Sequence, residues 1–103
     1  MAKLSITANL TFSAPVPVPV AGGEPVMVNF TFKHRTKNDL SALAESRAGR
    51  SDADIMMDIV TGWDMAEDFG RDNVELALQQ RIGLGLACWG VYVDELVKAR
   101  VKN

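Results

Sequence analysis

The stretch IMMDIVTGWDMAEDFGRDNVELAL, residues Ile55 to Leu78, decides how the second half of this chain is read. Ile55, Ile59 and Trp63 fall four residues apart, with Met56 and Val60 in the neighbouring row, which is the apolar stripe of a helix. Gly62 takes positive φ at no steric cost and is the expected stop of that helix. Asp72 is the expected cap of the next one, with Glu75 three residues on completing a capping box ahead of Val74, Leu76 and Leu78. Between them Trp63, Met65 and Phe69 stand in an otherwise polar, acidic loop. Large apolar groups in a loop plug the gap between two elements, so Trp63 is read as a buried peg between the second and third helices.

Working outward, Lys3 to Phe12 alternates strictly. Leu4, Ile6, Ala8, Leu10 and Phe12 face one way and Lys3, Ser5, Thr7, Asn9 and Thr11 the other, the period of a half-buried strand. The same period returns in Val26, Val28, Phe30 and Phe32 against Met27, Asn29, Thr31 and Lys33. Two such runs with one connection pair most simply as an antiparallel ribbon. The connection, Ala14 to Pro25, reads APVPVPVAGGEP. Proline gives no N–H to a ladder and holds the residue before it extended. Residues 14–25 are therefore expected to form an extended arm that turns at Gly22 and Gly23, outside the sheet.

Three helix starts follow by capping chemistry: Thr36 with Asp39, Ser51 with Asp54, and Asp72 with Glu75. Leu40, Leu43 and Ala44 form one face of the first helix, and Gly49 closes it. The last helix is expected from about Leu86 to Arg100, with Leu86, Trp89, Val93, Leu96 and Val97 as its stripe and Cys88 and Tyr92 beside it. Lys98, Arg100 and Lys102 suit its C-terminus. The reading is an α+β fold in one domain, residues 1–103. A two-stranded antiparallel ribbon with its arm occupies 3–34, and about four helices over 36–100 pack on one face.

The 103 residues include 48% hydrophobic and 23% charged side chains with a net charge of -2, which fits a globular domain with no field to attract nucleic acid or an anionic membrane. One cysteine, Cys88, leaves no internal disulfide framework. No apolar run approaches the ~20 residues of a membrane span. His34, the single histidine, has no nucleophile or metal-ligand spacing beside it, and Cys88 on an apolar helix face reads as an inert thiol. Asp64, Glu67, Asp68 and Asp72 lack the alternate-position spacing of a calcium loop. Gly83-Leu84-Gly85 has neither the preceding strand nor the third glycine of a dinucleotide loop. The Lys33–Lys37 cluster lacks aromatic interleaving. No nucleophile, base and oxyanion site assemble, so no catalytic residue, metal or cofactor is expected. A ribbon keeps an unpaired edge, which would suit a partner strand or a second copy.

Val60, Gly62, Trp63 and Asp64, then Phe69, Asn73, Leu76 and Leu78, and later Tyr92, resemble the pattern of tail assembly chaperones of long-tailed bacteriophages. The Phe32-Lys33-His34-Arg35-Thr36 junction is similar to that family's strand-to-helix junction, so the resemblance spans Val26 to Tyr92. It implies a non-catalytic protein of the host cytoplasm that escorts the tape-measure protein, with tail-tube subunits as a second partner, and is absent from the finished virion. Phe32, Trp63, Phe69 and Tyr92 become the structural or partner-binding candidates. A structural virion protein, such as a head–tail connector, is the alternative, and a small nucleic-acid-binding regulator a third reading.

Overall fold

Alternation does pair as antiparallel strands, but in a different register from the one the sequence suggests. In the computed structural model, which describes residues 3–98, β1 is Thr11–Val18 and β2 is Val26–Lys33. The first part of the expected arm, 14–18, is thus strand, and 19–25 form the hairpin tip, turning at Gly22 with φ 78. Thr11 faces Lys33 and Val18 faces Val26, so the two numbers in each pair add to 44. The His34 N–H donates to the Leu10 carbonyl at 2.8 Å, which makes the even-numbered pairs the hydrogen-bonded ones. Pro15 and Pro17 fall on the odd positions of an edge strand, where the nitrogen points away from β2. Their missing N–H groups cost the ladder nothing.

The same parity sorts the side chains. Ala14, Val16 and Val18 are buried, as are Phe30 and Phe32 opposite, while Thr11, Ser13 and Pro15 face water. Of the expected first strand, Lys3 to Phe12, only Thr11 and Phe12 fall in β1, and Lys3 to Leu10 is exposed and unpaired up to that last bond. By the sum of 44, Leu4 would need residue 40 as its partner. That residue lies in α1, Lys37–Ser46, whose Thr36 cap takes the Asp39 N–H at 3.2 Å. Helix capping ends the ladder.

A third strand replaces the expected end of the second helix. α2, Asp52–Ile59, is capped by Ser51 as read, and β3, Val60–Trp63, follows at once. The sheet order is β1-β2-β3, all antiparallel. Phe30 faces Trp63, Thr31 faces Gly62 and Phe32 faces Val60, which leaves Thr61 as the extra residue of a bulge. Gly62 is therefore a strand residue without positive φ; those glycines are Gly22, Gly49 and Gly83. The β-branched pair Val60-Thr61 takes up the free edge of β2 in preference to another helical turn.

α3, Arg71–Gln80, starts at Gly70 with no side-chain cap. Asp72 sits in its first turn, so the third capping box is not made. α4, Leu84–Val97, buries Leu84, Cys88 and Tyr92 in place of the expected stripe, and Leu86 and Val97 are exposed. Arg100 and Lys102 lie outside the described residues. The core is the inner sheet face closed by Met56 and Ile59 of α2, Val74 of α3, Leu43 of α1 and that row of α4. Each such side chain contributes about 1.5–3 kcal/mol of burial. Gly83 opens α4 in the left-handed region, and Gly85 admits Asp52, whose carboxylate lies 2.6 Å from where a Cβ would stand.

With β1 an edge strand inside the fold, Val16→Asp should place an unpaired carboxylate in the core and cost about 4 kcal/mol or more, enough to abolish cooperative melting. Pro15→Ser, on the outer face, should melt within a few degrees of the parent by circular dichroism. Equal tolerance of both substitutions would restore the arm reading.

Candidate functional site

The four aromatic residues singled out in the sequence belong to one connected set, and two of them are walled off from any partner. Phe32 and Tyr92 are fully buried, with ring centroids 5.4 Å apart. Phe30 lies 6.2 Å from Phe32 and 5.9 Å, edge on, from Trp63. Trp63 meets Phe69 edge on at 5.3 Å. Phe12 stacks on Phe32 and Tyr92 at 5.5 and 6.0 Å. Trp63 is half-buried at the end of β3 rather than sealed between helices, and its indole N–H donates to the Glu67 carbonyl at 2.7 Å. That bond and the Phe69 contact fold the β3–α3 loop back on the sheet. Phe32 and Tyr92 act in packing, and Trp63 and Phe69 reach the surface.

Arg35 is the residue that sequence reasoning passed over, as one member of a basic run. Its guanidinium donates to the Tyr92 hydroxyl at 3.0 Å and to the Asp58 carbonyl at 3.0 Å. Tyr92 passes its own proton to the Lys33 carbonyl at 2.8 Å. The end of β2, the end of α2 and the middle of α4 thus meet on three bonds around one half-buried side chain. A tyrosine hydroxyl facing the core needs such partners, and that need was the available signal. Arg50 adds an ion pair to Asp58 at 2.6 Å, and Arg71 spans Asp54 and Glu75 at 2.6 and 3.0 Å. The Arg71 hydrogen bond holds the Asp54 carboxyl below its ordinary pKa. Arg47 lies 4.2 Å over the Trp89 ring and ties α1 to α4.

Two clefts flank α3, with Leu76, 54% exposed, as the shared crest. One, of about 300 Å³, is lined by Trp63, Glu67, Asn73, Leu76, Ala77, Gln80 and Arg81. The other, of about 530 Å³, is lined by Ser51, Asp52, Ala53, Glu75, Leu76, Leu78 and Gln79. Open clefts that mix apolar and polar side chains in this way suit a peptide segment better than an enclosed small molecule.

The reactive side chains lie apart from these clefts. His34 is exposed at the end of β2. Burial pushes the Cys88 thiol up to about 12, the state of an unreactive cysteine. Among the described residues no three His, Cys, Asp or Glu side chains gather where they could hold a metal. No helix among them is long and apolar enough to cross a membrane.

A family model described as phage tail assembly chaperone matches residues 1–103, and the chain belongs to that family. No curated protein matches it, and no solved structure does.

Tyr92→Phe should cost about 1–3 kcal/mol, because Arg35 and the Lys33 carbonyl each lose their bond to the Tyr92 hydroxyl. An equilibrium denaturation curve superposing on the parent's would refute the junction. Cys88 ionises near 9.0 when unfolded and only at about 12 when folded. The unfolded chain therefore loses its proton first as pH rises. The contribution of the buried thiol should be fully present below pH 9 and be lost between there and 12. At pH 8 the native thiol should resist a thiol reagent and react only at the rate of unfolding. Rapid labelling of folded protein would contradict its burial.

Proposed function

We propose that this chain is a non-catalytic tail assembly chaperone that binds the tape-measure protein during tail morphogenesis, with tail-tube subunits as a second class of client. It works in the host cytoplasm and leaves the particle before the virion is complete. Membership in the family over all 103 residues is the observation that carries this reading. The clefts beside α3 support it with a place for the work. Trp63 and Ala77 give one of them an apolar wall, Leu76 its crest, and Glu67 and Arg81 charges of both signs at its rim. An amphipathic helix laid in such a cleft buries its apolar face and keeps its charged face wet.

The surface argues for side-chain recognition over strand pairing. The outer edge of β1 has no donor at Pro15 or Pro17, so it is a poor template for an incoming strand. The edge that the sequence offered for a partner or a second copy is thus short of donors along β1. Adaptable contacts along a helix also suit a client that must be released when the tail is built.

Co-expression with the tape-measure protein of the same phage or prophage should raise that protein's soluble fraction, and the two should co-purify. Apolar burial is little screened by ions, so the complex should survive about 0.5 M salt, where phosphate-directed binding is largely lost. No gain in solubility, or recovery of nucleic acid alone, would reject the reading. Retention of the chain in purified particles, seen by mass spectrometry, would favour a structural virion component.

A further inference from the structure

We infer that the segment Lys3–Leu10 docks on a second copy of this chain, seating Leu4, Ile6 and Leu10 along that copy's cleft between the start of α2 and α3. These three side chains are 99%, 104% and 88% exposed, and they alternate with Ser5, Thr7 and Asn9. The segment has the alternation of an amphipathic strand without being one in its own chain, and these apolar side chains have no cover there. Its own sheet cannot take it, because residues 34–40 opposite are committed to the turn into α1. The β1 edge of another copy is a poor template for it, since Pro15 and Pro17 offer no N–H there.

The Asp52–Leu76 cleft fits it in chemistry. Leu76 and Leu78 give apolar contact over the buried Ala53, and Asp52 supplies an acid that suits Lys3, while Glu75 is already paired with Arg71. Six residue steps from Leu10 to Leu4 span about 20 Å when extended, and the ten residues of α3 run about 15 Å.

Geometry selects a second copy over the chain's own cleft. Leu10 is held by its bond to His34, and Ala8 and Asn9 lie beside Glu95 and Leu96 near the end of α4. Asp52 lies against Gly85 at the start of that helix. The ten residue steps from Gly85 to Glu95 make a separation of about 15 Å. A segment stretched over that distance is consumed in the crossing, and Leu10 never reaches its own cleft.

Sedimentation equilibrium of the full chain tests this without any client, so failure here leaves the chaperone reading untouched. The protein should self-associate, and Ile6→Asp or Leu76→Asp should each weaken the association by about tenfold or more. Thr7→Asp, on the polar face, should leave it unchanged. All three positions are exposed, and circular dichroism checks that each variant folds. An equal mixture of Ile6→Asp and Leu76→Asp chains should associate better than either alone, because one supplies an intact cleft and the other an intact segment. A monomeric parent, association indifferent to Ile6→Asp, or a mixture no better than its components would each overturn the inference.

Discussion

The constraint on which the rest of this structure depends is the parity of the β1–β2 ladder. Because paired positions add to 44, the even-numbered residues of both strands turn their N–H groups to each other across the ladder and their side chains inward. That set holds Ala14, Val16, Val18, Phe30 and Phe32, all buried. The complementary set in β1 holds Pro15 and Pro17, which have no N–H to lose at an edge. A shift of one residue would bury the prolines' side and leave two gaps in the ladder. The inner face so defined receives Leu84, Cys88 and Tyr92 from α4 and Met56 and Ile59 from α2, and the Arg35–Tyr92 junction then fixes where those helices cross the end of β2.

The sequence was most legible where a local rule had no competitor. β2 is the run that alternation marks, and α1 and α2 start at the caps Thr36 and Ser51 provide. The α+β class follows from those elements. Misreadings arose where two rules met. Proline reads as a strand breaker unless its spacing is checked against ladder parity, and here every second residue from 15 to 19 is proline. Lys3–Leu10 carries the better strand pattern, yet register leaves it without a partner. Val60 and Trp63 fit a helical stripe by spacing and a strand by composition, and pairing with the free edge of β2 decided for the strand. Asp72 could cap a helix only if the helix began at 73. It begins at Arg71, beside the bond from the Asn73 side chain to the Asp68 carbonyl.

The candidate site was legible in part. The aromatic residues were visible as a group, but sequence does not say which of them meet solvent. Phe32 and Tyr92 are fully buried, while Trp63 and Phe69 mark the loop beside one cleft. Leu76 was visible as a helix residue and became a crest only when Val74 took the buried position on α3. The donor-poor β1 edge and the clefts beside α3 together move recognition from the sheet to the helices.

The nitrogen–proton correlation spectrum of the labelled chain, recorded as soluble tape-measure segments are added, tests that relocation most directly. The expected result is movement of the Trp63 indole signal and of amides across 71–81, with the Thr11, Ser13 and Asn29 amides unmoved. Shifts confined to the β1 edge, with Trp63 and α3 silent, would contradict it.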